Sequence, residues 1–298
     1  MASASVWGPE SNLPVTVLVF GKTGQVAREL RVRSPVIALG RDEVDLSDPG
    51  ACAAAVARHN PSAVINAAAY TAVDRAEEEE GLAMRINGDA PREMAVACAS
   101  FDIPFVHIST DYVFDGGGET GWKPNDKPAP VSAYGRSKLA GEDGIRAAGG
   151  RYAILRTSWV FSSHGNNFLR TMLRLSETRK VLSVVADQIG GPTPAGAVAK
   201  ACLTLAEQLR SGPSKAGPYH FSGAPDVSWA NFARAIFAEA GKGITVHSIP
   251  TSEYLTPAIR PLNSRLDCSA TEAVFGITRP DWRSELRVVL GQIRNKED

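Results

Sequence analysis

Tyr134 and Lys138 stand four residues apart in Ser132–Ala147, a stretch whose composition predicts a helix. That spacing puts both side chains on one helix face. An ammonium beside a phenol favours the phenolate, which predicts a lowered phenol pKa and a proton donor or acceptor working near neutral pH. Tyr and Lys meet at this spacing easily by chance. A hydroxyl partner gives it meaning, and Ser109 and Thr110 supply one. They follow Phe105-Val106-His107-Ile108, a largely apolar run that predicts a buried strand. Open α/β sheets bind ligands off the carboxyl ends of their strands, where a hydroxyl can hydrogen-bond a substrate carbonyl.

A second constellation lies near the start of the chain. Gly21-Lys22-Thr23-Gly24-Gln25-Val26-Ala27 follows the β-branched run Val15–Phe20 and opens a helical stretch, Gln25–Arg31. Gly21 permits the tight strand-to-helix turn, and Gly24 lets backbone approach a pyrophosphate at the helix N-terminus. Ala27 is small enough for close helix packing. The context predicts dinucleotide binding. The next strand, Val36–Leu39, ends in Gly40-Arg41 with no carboxylate at its tip. Arg41 suits a 2′-phosphate, so NADPH is favoured. Asp42 and Glu43 stand next to it and keep NADH as the alternative.

The elements that must hold these residues alternate along the chain. Further strands are predicted at Ala63–Asn66 and Tyr152–Arg156, and helices at Pro49–Arg58, capped by Ser47 or Asp48, and at Glu77–Ala99, interrupted or bent near Pro91. The fold class is α/β, a doubly wound parallel sheet with helices on both faces. Later come helices at Phe168–Ser176, Ala195–Leu209 and Trp229–Ala240, and strands at Val181–Val185 and Thr245–Ile249. Gly- and Pro-rich loops at Asp115–Pro130, Gln188–Pro194 and Pro257–Asn263 are long enough to suggest function.

Composition narrows the class. Among 298 residues, 32 Lys+Arg balance 32 Asp+Glu and 44% are hydrophobic. A chain with no basic surplus is not expected to bind nucleic acid or an anionic membrane. Its apolar content exceeds that of disordered chains. Cys52, Cys98, Cys202 and Cys268 are far apart, which predicts buried thiols in a reducing compartment rather than a metal or redox pair. No apolar run reaches membrane-spanning length, and Met1–Leu13 reads as a flexible extension without signal-peptide features. A cytoplasmic protein is expected.

Taken together, these stretches resemble the extended short-chain dehydrogenase/reductase superfamily and, within it, the dTDP-4-dehydrorhamnose reductases. The resemblance runs from about Val15 to Ile293. Besides the phosphate loop, Tyr134 and Lys138, it rests on Asn66-Ala67-Ala68-Ala69-Tyr70-Thr71-Ala72-Val73-Asp74 and Ser109-Thr110-Asp111-Tyr112-Val113-Phe114. It continues in Arg156-Thr157-Ser158-Trp159-Val160, Gly165-Asn166-Asn167-Phe168, Gly191-Pro192-Thr193 and Arg260-Pro261-Leu262-Asn263-Ser264-Arg265-Leu266.

The resemblance implies a Rossmann-type core over 14–160. Residues 161–298 would hold the remaining sheet elements, interleaved with a smaller nucleotide-sugar-binding domain. It implies NADPH-dependent reduction of the C4 ketone of dTDP-4-dehydro-L-rhamnose, for surface polysaccharide. Tyr134 would be the general acid and Lys138 its electrostatic partner, also holding the nicotinamide ribose. Thr110 would bind the keto oxygen, and Asn87 would help order the lysine. Gly21, Lys22, Thr23, Gly24, Gln25, Val26, Arg41, Asp45, Leu46, Ala67, Ala68 and Ala69 would line the cofactor site. Val73, Asp74, Trp159, Asn167 and Arg260 would surround the nucleotide sugar. Some members are dimers bridged by magnesium. Here Glu29 is present in the first helix, but Pro194-Ala195-Gly196-Ala197-Val198 has no carboxylate, so no metal site is expected. A monomer or a homodimer is expected. The same catalytic groups would serve a reductase giving the C4 epimer or using another 4-keto-6-deoxy sugar. A non-catalytic regulatory subunit is the rival from another class, and intact Thr110, Tyr134 and Lys138 count against it.

Overall fold

Alternate residues of the first strand serve two different cores. The computed structural model describes residues 16–297, so Val15, the Met1–Leu13 extension and Asp298 lie outside the described chain. In β1 (Val17–Phe20), Val17 and Val19 face one side of the sheet, and Leu18 and Phe20 face the other. Successive strand side chains point to opposite faces, so a strand buried on both sides must be apolar throughout.

The chain then alternates as its pattern predicts. It runs through α1 (Gln25–Arg33), β2 (Val36–Leu39), α2 (Pro49–His59) and β3 (Ala63–Asn66). Asp48 caps α2, accepting from Ala51 N. After α3 (Glu80–Met84) and α4 (Ala90–Ser100) come β4 (Phe105–Thr110), α5 (Ala133–Ala148), β5 (Tyr152–Thr157) and the short β6 (Val160–Phe161). The second half contains α6 (Phe168–Ser176), β7 (Val181–Val185), β8 (Ile189–Gly190), β9 (Thr193–Pro194), α7 (Ala195–Ser211) and β10 (Gly217–His220). It ends with β11 (Val227–Ser228), α8 (Trp229–Glu239), β12 (Thr245–Ile249), β13 (Asn263–Ser264), α9 (Ser269–Phe275) and α10 (Trp282–Glu297).

The main sheet has six parallel strands in the order β2-β1-β3-β4-β5-β10. Helices α1 and α7 cover one face, and α2, α4 and α5 cover the other. The doubly wound α/β class is therefore correct. Strand β10 was not anticipated from sequence, because Gly217 and Pro218 open it. A proline is tolerated there since β10 is an edge strand with one unpaired side. A separate core forms where α6, α8 and α10 pack with β7 and β12, around Phe161, Leu169, Phe232 and Trp282. Helices α9 and α10 also escaped the sequence reading, although Trp282, Leu286, Val289, Leu290 and Ile293 recur at helical spacing. The long Gly/Pro loops mostly bind one another. Asn263 Nδ2 donates to Gly117 O and Thr120 O, and Trp122 Nε1 donates to Asn263 O. All four cysteines are free and buried. Among the described residues, no helix is long and apolar enough to cross a membrane.

The helix expected over Glu77–Ala99 is interrupted near Pro91, as its sequence predicts. A 3₁₀ turn at Arg75–Glu77 precedes α3, and one π turn at Arg85–Asp89 joins α3 to α4. Pro91 lies at the start of α4, just after the π turn. It has no N–H for the Asn87 carbonyl four residues back, and its ring displaces that carbonyl. The displaced carbonyl turns toward α5, where Gly141 makes room; a Cβ there would overlap the Asn87 oxygen. Gly141→Ala should therefore destabilise the fold by about 1–3 kcal/mol through overpacking. Urea unfolding checks this, and an unchanged midpoint would show that the contact yields freely.

Candidate active site

Strand order reverses between β1 and β3, and crevices at such points are where open α/β sheets bind ligands. A cleft of about 1140 Å³ opens there. Its walls are the Gly21–Val26 loop; Arg41, Asp45 and Leu46 beyond β2; Ala67–Ala69 and Val73 beyond β3; Thr110 ending β4; Tyr134 and Lys138 on α5; and Trp159. Residues far apart in sequence thus meet because each follows the carboxyl end of a parallel strand or faces it from α5.

The cofactor side fits a dinucleotide. Gly21 has φ +111°, and a Cβ there would sit 3.3 Å from the Ala67 backbone, so the first turn and the exit of β3 are closely apposed. Helix α1 starts after Gly24 with no side-chain cap and no acidic residue in its first turn. Its free N–H groups and positive dipole end suit a pyrophosphate. Beyond β2, Glu43 accepts from Gly40 N at 2.8 Å and pairs with Lys22 at 3.0 Å. Its carboxyl is held below the usual range first by the Gly40 N–H and then by Lys22. The Glu43 carboxylate is thus engaged with its own loop, and Asp42 alone of that pair lines the cleft. The Arg41 side chain is 82% exposed, with Nε 3.3 Å from Asp45 Oδ2, and is free to swing toward a 2′-phosphate. Arg41→Ala should weaken NADPH about 10–100-fold, with NADH nearly unchanged. Titrations with both cofactors check this, and equal losses would show that Arg41 does not read the phosphate.

On the catalytic side, Thr110 Oγ1 donates to Asp111 Oδ1 at 3.0 Å and accepts from Tyr112 N at 3.2 Å. Ser132 caps α5 by accepting from Gly135 N at 3.2 Å, which places Tyr134 and Lys138 in the first turns of that helix. The expected lowering of the Tyr134 pKa is not found. Burial pushes the phenol well above its usual value, and the Asp111 carboxylate pushes the same way against Thr110. Lys138 cannot oppose this from where it lies. Its Nζ bonds Ile108 O at 2.8 Å and His107 Nε2 at 2.9 Å. Burial lowers Lys138 to about 7, against the pull of Glu142.

Ser109, one residue before Thr110, has its hydroxyl turned to α5, where it donates to Glu142 Oε1 at 2.6 Å. Ser109 and Thr110 close β4 rather than following it. Asn87 does not reach the lysine. Its Oδ1 accepts from Tyr70 N, and its Nδ2 donates to Tyr70 O and to Ser137 Oγ at 3.0 Å. It ties the loop beyond β3 to α5, one residue from Lys138.

The sequence-chosen substrate residues divide. Val73 and Trp159 line the cleft, whereas Asp74, Asn167 and Arg260 do not. Asn167 caps α6 through Arg170 N, and its Nδ2 donates to Gln25 Oε1, Ser162 O and His164 O, so its amide is fully engaged. Its neighbour Asn166 lines the cleft instead. Arg260 pairs with Asp74 at 2.6 Å, leaving Nη1 buried without a protein partner. Glu29 pairs with Arg33 and lies 3.4 Å from His164 Nε2. Among the described residues, no group of three or more His, Cys, Asp and Glu is placed to hold a metal ion.

Comparison with known proteins gives this arrangement a family. The model of the RmlD substrate binding domain matches residues 15–295. The chain belongs to this family. It is 42% identical over 279 residues to the dTDP-4-dehydrorhamnose reductase of Sinorhizobium fredii, covering 90% of this chain and 94% of that one. The Burkholderia thailandensis dTDP-4-dehydrorhamnose reductase is 44% identical over 283 residues, covering 90% of this chain and 95% of that one. The crystal structure of the Bacillus anthracis dTDP-4-dehydrorhamnose reductase in complex with NADP is 33% identical with a TM-score of 0.88, covering 94% of this chain and all of that one.

Two residues of this RmlD-family site were not singled out from sequence. Asp111 is buried with Oδ2 lacking a hydrogen-bond partner, and burial pushes it to about 6, against the hydrogen bond from Thr110 and the influence of Ser264. Its position next to Thr110 was the available signal. Trp229 opens α8, lines the cleft and stacks on Trp159 with ring centres 3.5 Å apart. No local signal reports that stack, since it joins segments 70 residues apart in sequence. Trp159 has φ +51°, unusual for a bulky residue, and Gly190 makes room for it; a Cβ there would lie 2.8 Å from the indole.

Proposed function

We propose that this RmlD-family chain reduces the C4 ketone of dTDP-4-dehydro-L-rhamnose with NADPH, giving dTDP-L-rhamnose for surface polysaccharide. The observation that carries this reading is the convergence of Thr110, Tyr134 and Lys138 with the Gly21–Val26 loop in one cleft. The named reductases among its relatives, one with NADP bound, support the substrate and the cofactor.

The bound dinucleotide would lie with its pyrophosphate at the start of α1 and its adenine by Asp45 and Leu46, and would supply a hydride to C4. Thr110 turns its one hydroxyl proton from Asp111 Oδ1 to the keto oxygen, and Tyr134 protonates that oxygen as negative charge develops there. Burial keeps the Tyr134 phenol protonated in the free chain, which is the form a reduction needs. Lys138 stands one turn further along α5 and lines the same cleft; released from Ile108 O and His107 it would serve the ribose and the phenol. The stacked Trp159 and Trp229 offer an aromatic wall to the sugar or base. Arg260, held by Asp74 outside the cleft wall, would have to turn its unpartnered Nη1 into the cleft to meet the diphosphate. Of the described residues, 16–160 form the dinucleotide core, and 161–297 complete its sheet through β10 and carry the substrate-binding domain on the α6–α8–α10 core.

The test is NADPH oxidation by the purified protein with dTDP-4-dehydro-L-rhamnose, followed by NMR of the product. The expected product is the L-rhamno sugar. The C4 epimer would change the substrate pose, and no oxidation would overturn the reading.

A further inference from the structure

The hydrogen bonds behind Lys138 have a direction that fixes where protons sit. Ala68 N–H donates to Asn66 Oδ1 at 3.1 Å, which settles the orientation of that amide. Asn66 Nδ2 then faces His107 Nδ1 at 3.1 Å and can only donate to it. An accepting Nδ1 puts the proton of a neutral His107 on Nε2. His107 is fully buried, and burial disfavours its charged form. Its Nε2–H therefore points at Lys138 Nζ, 2.9 Å away.

An ammonium has three donors and no lone pair, so it cannot face an N–H. A free amine can accept from Nε2–H and still donate to Ile108 O at 2.8 Å. We infer that His107 is a positioning residue that holds Lys138 as the free amine, and that the Ala68–Asn66–His107 chain imposes this state. Burial of Lys138 acts in the same direction.

The consequence is a proton-coupled release. When Lys138 Nζ takes a proton from water, its lone pair is lost and the contact with Nε2–H turns repulsive. The ammonium then leaves His107 and becomes available to Tyr134, where it would favour the phenolate. Other charged groups around the pair set the balance. Glu142, one turn along α5, favours the ammonium, but Arg156 from β5 and Arg146 already pair with it at 2.6 and 2.7 Å. Asp111, beyond β4, acts on Tyr134. This consequence for catalysis rests on the reductase reading; the proton arrangement does not.

The experiment is NMR of the full chain labelled with 15N in histidine rings and with 13Cε and 15Nζ in lysine. The Lys138 signal is identified by its loss in Lys138→Met. The expected result is a His107 ring with an unprotonated Nδ1 and a protonated Nε2, and a Lys138 that titrates at least ~2 pH units below the other lysines. Asn66→Asp replaces the donor by an acceptor. It should move the His107 proton to Nδ1, turn Nε2 into an acceptor for the ammonium, and raise the Lys138 titration by ~1 pH unit or more. A proton on Nδ1 in the unsubstituted chain, or Lys138 titrating with the exposed lysines, would overturn the inference. The unsubstituted chain decides the matter if Asn66→Asp does not fold. The proton arrangement found in a chain that oxidises no NADPH would sink the proposed function alone.

Discussion

Tyr134→Phe lowers kcat by about 10²–10⁴-fold and leaves KM within about threefold. The phenyl ring keeps its packing against Tyr112, whose ring lies edge-on at 5.5 Å. Only the hydroxyl is lost, and with it the proton for the developing alkoxide. Thr110 can still polarise the ketone, so a residual rate above that of the cofactor alone is expected. Steady-state kinetics with dTDP-4-dehydro-L-rhamnose, together with cofactor titration of the variant, checks this. Near-normal turnover would remove Tyr134 from the mechanism.

Glu142→Ala destabilises the chain by about 3–5 kcal/mol, the cost of breaking a buried charge pair by removing one partner. Glu142 and Arg156 are both fully buried, joined by two hydrogen bonds of 2.9 and 2.6 Å. Arg146 and Ser109 complete the carboxylate shell at 2.7 and 2.6 Å. Alanine would strand the Arg156 guanidinium, whose remaining partners are Pro124 O and His220. The pH dependence has a definite sign. Burial alone would raise the Glu142 pKa, but the Arg156 hydrogen bonds and charge outweigh it and hold the carboxyl below its usual value. A depressed folded-state pKa gives stability that is present above the unfolded carboxylate pKa and is lost as pH falls through the folded one. Urea midpoints across acid pH should therefore show a weaker acid limb in Glu142→Ala than in the unsubstituted chain. Parallel limbs would assign acid sensitivity to other carboxylates.

Local pattern carried much of this protein. The run Val17–Phe20 is apolar at every position, and Ala63–Asn66 and Phe105–Ile108 are apolar at all but one, the pattern of strands covered on both faces. The alternation of such runs with helices then left a parallel sheet as the consistent arrangement. Strand-end chemistry followed, because the topology brings the ends of β1, β3 and β4 to one crevice. Thr110, Tyr134, Lys138 and the phosphate loop were legible for that reason. So were the spans of α6, β7 and β12, whose patterns are strong and whose neighbours do not compete.

What only the tertiary structure decided is where each polar group finds its partner. Asn167 looked available for a sugar, yet a helix start and Gln25 take its whole amide. Lys138 was expected to lower the Tyr134 pKa, yet a strand carbonyl and His107 hold its amine, and burial raises the phenol. The break before Pro91 depends on Gly141 of another helix, and the Trp159 wall depends on Trp229. Backbone propensity and apolar periodicity act between near neighbours in sequence, so one chain segment reports them. Hydrogen bonds, desolvation and ring stacking act over a few ångströms in space, and those distances exist only once the fold has brought distant segments together.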